Sequence, residues 1–242
     1  MALVGFELLA RLFLGSFFCL LFVSRVETSE KFVKIAFRIG TGIALCAVLL
    51  ALSMGNLAAH TQSIFSVVAA WVGLTLYVYF LPGPWRAIGA LLLISSMIVL
   101  GWRDGGFLGF IEFSGSVLLL GSIYMGQFLG HWFLNVPGMN IRELVRIVKI
   151  LLFSLFLRTF TNLWTLLMGG VLAEASGDAW LLYGIRAIWG LIPLYVLAYM
   201  IYRTTMLRST QSATGIYYAA SVMVLVGEAM AIYLKMNLNW LV

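Results

Sequence analysis

Eight long apolar stretches divide this chain of 242 residues and leave only short connections between them. Hydrophobic residues make up 63% of the chain and charged residues 10%, and the mean hydropathy is +1.05. A soluble domain of this size cannot bury so much apolar surface, whereas about 20 consecutive apolar residues cross a bilayer as one helix. We therefore predict an all-α, polytopic integral membrane protein. Its eight transmembrane helices are expected near residues 2–24, 35–55, 62–81, 85–101, 112–134, 147–170, 180–202 and 214–234.

Two details refine this outline. The first segment lacks the basic start and the small-residue cleavage site of a signal peptide, so we expect it to remain as a helix. Pro193 lies inside the seventh segment and is expected to kink it, because proline removes one backbone hydrogen bond.

A four-part pattern occurs twice along the chain and predicts two similar four-helix units, residues 1–104 and 105–242. In each unit a Trp lies six residues before a Tyr, at Trp71 and Tyr77 and again at Trp189 and Tyr195. The other paired landmarks are LFLGSFF (12–18) with LLLGSIY (118–124), VKIAFRI (33–39) with VRIVKI (145–150), and SSMIVLG (95–101) with SVMVLVG (221–227).

Basic residues are distributed unevenly between the two predicted sides of the membrane. Only Arg103 and Lys235 fall on the side that carries both termini. The other side carries Arg25, Lys31, Lys34, Arg38, Arg86, Arg142, Arg146, Lys149, Arg203 and Arg208. The positive-inside rule then places both termini outside, and we expect a multi-pass protein of the bacterial inner (cytoplasmic) membrane. The net charge of +6 reflects this topology and gives no reason to expect nucleic-acid binding.

Ionisable residues inside the predicted spans are the most informative ones, because a charge in a bilayer is costly unless it is paired or hydrated. They are Glu7, Arg11, Glu112, His131, Arg158, Arg186 and Glu228. Glu7 and Arg11 are four residues apart and can pair on one helix face. Arg186 and Glu228 are each predicted about 9 Å below the outer surface, which makes them candidates for an interhelical ion pair. Apart from His131, these residues converge on the outer half of the membrane, either as a functional site or as structural ion pairs.

Helix 6 carries a polar stripe at three- and four-residue steps: Ser154, Arg158, Thr161, Asn162, Thr165 and Gly169. Such a face must point into the helix bundle or into a hydrated cavity. It predicts a ligand pocket or polar pathway, or else hydrogen bonding between helices.

Helix 5 carries two further features. Ser122, Gly126 and Gly130 form a small-residue face that favours close helix packing. On the adjacent face, Gln127 and His131 are secondary ligand candidates. His131 suits a haem ligand, a proton relay, a quinone hydrogen-bond partner or an interfacial histidine. The second histidine, His60, is expected in an outer loop on the opposite side, so one chain does not supply the two histidines that membrane haem commonly uses.

The two predicted units differ in the charged residues inside their membrane spans. Arg158, Arg186 and Glu228 align with Cys46, Val68 and Trp102 of the first unit, none of which is charged. We therefore expect the functional site in helices 5 to 8, near the outer side, with helices 1 to 4 as its scaffold. The candidate ligand residues there are Arg158, Asn162, Thr165, Arg186, Glu228 and Glu112.

The eight helices, the duplication and the outer-side polar residues together resemble the membrane anchor subunits of dimethyl sulfoxide reductase and polysulfide reductase-type respiratory complexes. The closing GEAMAIYL (227–234) is similar to the Gly-Glu…Arg-Tyr ending of such anchors, with Lys235 following it. The resemblance covers the whole chain in architecture and only a few residues in sequence. It implies a subunit that binds quinol near the outer face and passes electrons to an iron–sulfur or cytochrome partner.

The functional expectation is a membrane anchor subunit of a respiratory or redox complex that interacts with quinone and with lipid. No catalytic residue, metal-ligand set or covalently bound cofactor is predicted, and the motifs of common stand-alone enzymes do not occur. Two alternatives remain open. One is a small transporter or permease whose path is lined by the polar stripe of helix 6, and the other is a purely structural subunit of a larger assembly.

Overall fold

A computed structural model describes residues 2–54, 57–79, 84–103, 105–136, 139–168, 177–238 and 240, with the side chains of 57–60 and 168 left undescribed. Every regular element in these ranges is an α-helix. The helices are α1 (Ala2–Leu21), α2 (Arg25–Ser53), α3 (Leu57–Tyr79), α4 (Pro84–Arg103), α5 (Gly106–Asn135), α6 (Arg142–Met168), α7 (Gly177–Gly190), α8 (Ile192–Met206) and α9 (Thr210–Leu238).

Within the described residues, seven stretches are long and apolar enough to cross a membrane. They are α1, α2, most of α3, α4, α5, α7 together with α8, and α9, while α6 is not among them. The all-α class is therefore confirmed, and its long apolar helices are compatible with a helical membrane protein. The count of eight spans and the division into two four-helix units stay predictions.

The seventh predicted segment is divided into two helices, as the position of Pro193 indicated. Helix α7 ends at Gly190, Leu191 leaves the regular helical path with φ −119° and ψ −57°, and α8 starts at Ile192. Proline has no N–H to donate and its ring crowds the preceding turn, so the break falls at Leu191, two residues ahead of Pro193.

Helix α2 begins ten residues earlier than predicted, at Arg25 instead of residue 35. Its first turn carries charges that the prediction placed in a loop, and Ser29 interrupts it with φ 75° and ψ 155°. Arg25 also donates hydrogen bonds to the carbonyl oxygens of Tyr77 and Val78 at the end of α3. The charged start of α2 is thus stabilised as a helix by its neighbour. His60 likewise lies in the first turn of α3, and the loop predicted for it is wrong.

Helix α5 is the centre of the bundle and packs against α1, α4, α6 and α9. The predicted small-residue face is in contact with α9. Gly126 lies against the ring of Tyr217, and Gly130 lies against Thr214. On its other side α5 meets α1, where Gly15 and Gly121 bring the backbones so close that neither has room for a Cβ atom. The helix backbones can approach this closely because glycine has no side chain at the crossing point.

The helix directions place both chain termini at one end of the bundle, which we call the termini end. Glu112 near the start of α5 contacts Lys235 near the end of α9 there, and Arg11 reaches the same carboxylate from the middle of α1. The opposite end holds the starts of α2 and α6, where the Ser24 N–H donates to Glu143 at 2.8 Å.

Candidate functional site

Six charged side chains meet inside the bundle near the termini end, and we call them the ion-pair cluster. They are Arg11, Glu112, Arg158, Arg186, Glu228 and Lys235. Five helices contribute to the cluster: α1, α5, α6, α7 and α9. All six side chains are buried, and Arg158, Arg186 and Glu228 have 0% exposure.

Arg158 is the centre of the cluster because it bridges both carboxylates. Its Nε and Nη2 donate to the two oxygens of Glu228 at 3.0 and 2.9 Å. Its Nη1 donates to Glu112 Oε1 at 3.0 Å. The side chain reaches them across Gly115, where an added Cβ would lie 3.1 Å from Arg158 Cδ. This fork geometry uses the planar guanidinium in the way that gives the strongest carboxylate pairing.

Glu112 accepts from two further cations. Arg11 Nη1 lies 2.8 Å from its Oε1, and Lys235 Nζ lies 2.8 Å from its Oε2. Arg11 is also held over the ring of Phe113, with its guanidinium carbon 5.0 Å from the ring centroid. Glu112 therefore joins α1, α6 and α9 through one carboxylate.

Ser116 completes the coordination of the second carboxylate. It lies one helical turn after Glu112 on α5, so both side chains project from one face of the helix. Its hydroxyl donates to Glu228 Oε2 at 2.5 Å. Helix α5 thus supplies both an acid and a hydroxyl to the same cluster.

Arg186 is bound less completely than the other cations. Its Nη2 lies 2.9 Å from Glu228 Oε1, which is within ion-pair distance. Yet Nε, Nη1 and Nη2 are all buried, and none forms a well-aligned hydrogen bond with a described residue. A guanidinium has five N–H donors, and leaving them unsatisfied away from water is costly. The arrangement has donor capacity left for an acceptor such as a carbonyl or anionic oxygen.

A glycine crossing positions Arg186 beside Glu228. A Cβ on Gly190 of α7 would lie 2.5 Å from the Cα of Gly227, and a Cβ on Gly227 would lie 2.5 Å from the Cα of Gly190. The same added atoms would lie 2.9 and 3.0 Å from Arg186 Nη1. Because Gly227 immediately precedes Glu228, the close approach of α7 and α9 sets the distance between the arginine and its carboxylate.

Counted over the described residues, the charges of the cluster do not balance. Four cations face two carboxylates, which gives a net charge of +2. Glu7 lies 3.9 Å from Arg11, but it also lies 3.7 Å from Arg103, so this extra pair leaves the sum unchanged. Buried charge without compensation is strongly unfavourable. The site is therefore electrostatically suited to an anion or to a group rich in hydrogen-bond acceptors.

Comparisons with protein-family models, curated proteins and solved structures found no significant match to this chain.

The structure brings most of the predicted site residues together. Glu112, Arg158, Arg186 and Glu228 form the cluster, and the predicted ion pair between Arg186 and Glu228 is confirmed. The predicted pair between Glu7 and Arg11 is also present, at 3.9 Å.

The rest of the polar stripe of α6 continues from Arg158 toward the termini end. Asn162 is 6% exposed, its Oδ1 accepts from the Tyr183 hydroxyl at 2.5 Å, and its Nδ2 has no hydrogen-bond partner among the described residues. Thr165 follows at the next turn and is buried. Gly169, the last member of the stripe, lies outside the described residues.

Gln127 and His131 are not part of the cluster. From Glu112 to His131 is 19 residues of α5, or about 28 Å along the helix. His131 is exposed at the opposite end, and Gln127 is half-buried. Across the described residues, no group of three or more His, Cys, Asp and Glu side chains is arranged to hold a metal ion.

Sequence reasoning left Arg11, Lys235 and Ser116 out of the candidate set. A signal was available for two of them. Lys235 follows Glu228 by seven residues and Ser116 follows Glu112 by four, and both spacings place the later residue on the same helix face as the carboxylate. Arg11 brings the first half of the chain into the cluster, so the site extends beyond the helices in which it was expected.

Proposed function

We propose that this chain is an integral membrane subunit of a redox complex, and that a quinone head group binds beside Arg186 at the ion-pair cluster. The supporting observation is the Arg186 guanidinium, which is buried at 0% exposure: its Nη2 is ion-paired with Glu228, while its Nε and Nη1 have no hydrogen-bond acceptor among the described residues. A quinone presents two carbonyl oxygens, which accept hydrogen bonds, on an apolar ring that partitions into a bilayer. The N–H donors of Arg186 are therefore complementary to the carbonyl oxygens of a quinone.

The cluster supplies the polar groups for such a ligand. Arg186 donates to one carbonyl oxygen of the quinone, and Asn162, whose Nδ2 is a buried donor without a partner among the described residues, is a candidate for the other. Oxidation of a quinol releases two protons and two electrons. Glu228, whose Oε1 lies 2.9 Å from Arg186 Nη2, is the carboxylate nearest to receive one proton, and Glu112 of the same cluster receives the other. The electrons pass to a partner subunit that carries an iron–sulfur cluster or a haem.

The cellular setting belongs to the same proposal. We infer that the chain is a multi-pass protein of the bacterial inner membrane with both termini outside, as the distribution of basic residues indicates. The cluster then lies in the outer half of the membrane, and a redox partner docks on that side.

The proposal is tested with the full chain purified from its native membrane. We expect a cofactor-bearing partner to co-purify, and a photoreactive quinone analogue to label the region around Arg186. Arg186→Gln is expected to weaken analogue binding at least ten-fold, because one charged donor to a buried acceptor is lost. Lys34→Gln is the matched control, since Lys34 is exposed and pairs only loosely with Glu30 at 3.5 Å.

Two results would contradict this function. One is purification without any redox partner. The other is analogue binding that Arg186→Gln and Lys34→Gln leave equally unchanged, while thermal unfolding shows both variants to be folded.

The net charge of +2 favours a second candidate, a permease for a small anion. The polar face of α6 is then the path, and the cluster is its binding site. Flux of an anionic solute by the isolated protein in liposomes favours this candidate over the redox subunit. If the isolated protein shows neither anion flux nor quinone binding, the result favours a purely structural subunit.

A further inference from the structure

A second cationic site lies at the opposite end of the bundle, far from the ion-pair cluster. The first turns of α6 and the end of α8 enclose a cleft of about 400 Å³. Four basic side chains line it: Arg142, Arg146, Lys149 and Arg208. We call it the basic cleft.

Three of the four cations have no acidic partner in the described structure. Arg146 pairs with Glu143 at 2.8 Å. No described carboxylate lies within ion-pair distance of Arg142, Lys149 or Arg208. Like charges gathered around a cleft repel one another unless an anion lies between them. The basic cleft therefore has the electrostatics of an anion site.

A buried hydroxyl in the wall of the cleft supports this interpretation independently. Thr205 is 1% exposed, and its Oγ1 has no hydrogen-bond partner among the described residues. The neighbouring Thr204 hydroxyl bonds back to the carbonyl oxygens of Met200 and Ile201, as helical threonines commonly do. Thr205 makes no such bond, so its hydroxyl is available to a ligand in the cleft.

The backbone at Arg208 is a third observation. Arg208 has φ 58°, in the left-handed region that glycine normally occupies after a helix. Its N–H bonds to the Thr205 carbonyl and the Ser209 N–H bonds to the Thr204 carbonyl, both at 2.9 Å, which is the usual closure of a helix end. Arginine therefore occupies a backbone conformation that glycine adopts at lower cost, and the arginine side chain lines the cleft.

Apolar surroundings indicate where the anion comes from. Val145 and Met206 form part of the cleft wall. Met206 and Leu207, beside Arg208, are 56% and 73% exposed. A ligand with a phosphate and attached acyl chains satisfies the cations and covers these side chains at once. Basic pockets between helices at this level of a membrane suit anionic lipid head groups.

We propose that the basic cleft is a binding site for an anionic phospholipid, with the lipid phosphate held by Arg142, Lys149, Arg208 and the Thr205 hydroxyl. The lipid packs its acyl chains against α6 and α8. This site is independent of the ion-pair cluster and of any quinone bound there.

The test measures thermal unfolding of the full chain in neutral detergent, with added phosphatidylglycerol or phosphatidylcholine. We expect phosphatidylglycerol alone to raise the melting temperature. Arg142→Gln should require about five-fold more phosphatidylglycerol for the same increase, the usual effect of one surface cation on binding an anionic lipid. Lys31→Gln, an exposed basic residue of the same end outside the cleft, should leave the requirement unchanged.

Arg208→Gly separates lipid binding from folding. Glycine relieves the left-handed backbone, so this variant should melt at the same or a higher temperature than the parent in detergent alone. It should still need about five-fold more phosphatidylglycerol. If the Arg208 side chain instead stabilises the fold, Arg208→Gly should melt at a lower temperature than the parent in detergent alone.

Three outcomes overturn the proposal. They are equal effects of the two lipids, equal losses in Arg142→Gln and Lys31→Gln, and full stabilisation by millimolar inorganic phosphate without lipid. The last outcome would identify a site for a free anion.

Discussion

Arg158 and Glu228 are joined by two parallel hydrogen bonds, from Nε to Oε1 at 3.0 Å and from Nη2 to Oε2 at 2.9 Å, with both side chains fully buried. The pair connects α6 to α9 inside the bundle. Removing one member of such a pair leaves the other as an uncompensated buried charge, and this sets the scale of the first prediction.

Glu228→Gln should lower the free energy of unfolding by about 3–5 kcal/mol, because Arg158 and Arg186 then lose their shared carboxylate. Unfolding in mixed micelles with increasing denaturing detergent measures the change. Glu30→Gln is the control, since Glu30 is 69% exposed and its pair with Lys34 is worth less than about 1 kcal/mol. Similar losses in the two variants would show that the buried pair has no special role.

Arg186→Met should destabilise the protein less than Glu228→Gln. Loss of a carboxylate raises the net charge of the cluster from +2 to +3, whereas loss of a cation lowers it to +1, and methionine fills much of the same volume. The same unfolding measurement applied to both variants gives the order. If Arg186→Met proves the more damaging, then charge imbalance does not govern the cluster.

Gly227→Ala should force α7 and α9 apart, because the added methyl group would lie 2.5 Å from the Cα of Gly190. We expect a loss of about 1–3 kcal/mol in unfolding free energy, with weaker binding of the quinone analogue as Arg186 is displaced. Gly215→Ala on the same helix is the matched control. Nothing lies within 4 Å of its added methyl group, and better helix propensity gives up to about 1 kcal/mol of stabilisation. If Gly227→Ala leaves the unfolding free energy unchanged, the result would contradict the close crossing of α7 and α9.

Glu143→Ala should destabilise the opposite end of the bundle. Glu143 is 2% exposed and accepts the Ser24 N–H at 2.8 Å, so its removal leaves a backbone donor unsatisfied at a cost of about 1–3 kcal/mol. Arg146→Gln tests the other contact of Glu143, a half-exposed ion pair worth under about 1 kcal/mol. Hydrogen exchange at Ser24 reports the effect directly, and it should accelerate in the first variant only.

The sequence was sufficient to predict that Arg186 and Glu228 lie at the same level of the bundle, because that level follows from helix direction and the rise per residue. Arg186 and Glu228 were paired on that basis, and the structure confirms the contact. The sequence did not predict which helices pack side by side, because hydropathy does not specify which helices are in contact. The contact of Arg11 with Glu112 depends on α1 packing against α5, and nothing in either segment indicated that packing.

The start of α2 shows a second limit of sequence reasoning. Charged residues at 25–34 interrupt the apolar pattern and were assigned to a loop, yet the helix includes them. Their side chains are satisfied by the end of α3 and by one another, through Arg25 with Tyr77 and through Glu30 with Lys34. Hydropathy locates the lipid boundary, whereas the helix end depends on hydrogen-bond partners beyond that boundary.

Arg11 has a consequence for the order of synthesis. Its buried partner Glu112 follows it by 101 residues, and at about 5–20 residues per second the ribosome needs about 5–20 s to reach it. During that interval α1 has already left the ribosome with an arginine on its apolar surface. Glu7, one turn earlier and 3.9 Å away, is the carboxylate that can shield this charge while the helix waits. We therefore expect removal of the Glu7 carboxylate to reduce the yield of membrane-inserted protein more than the unfolding free energy of the folded protein.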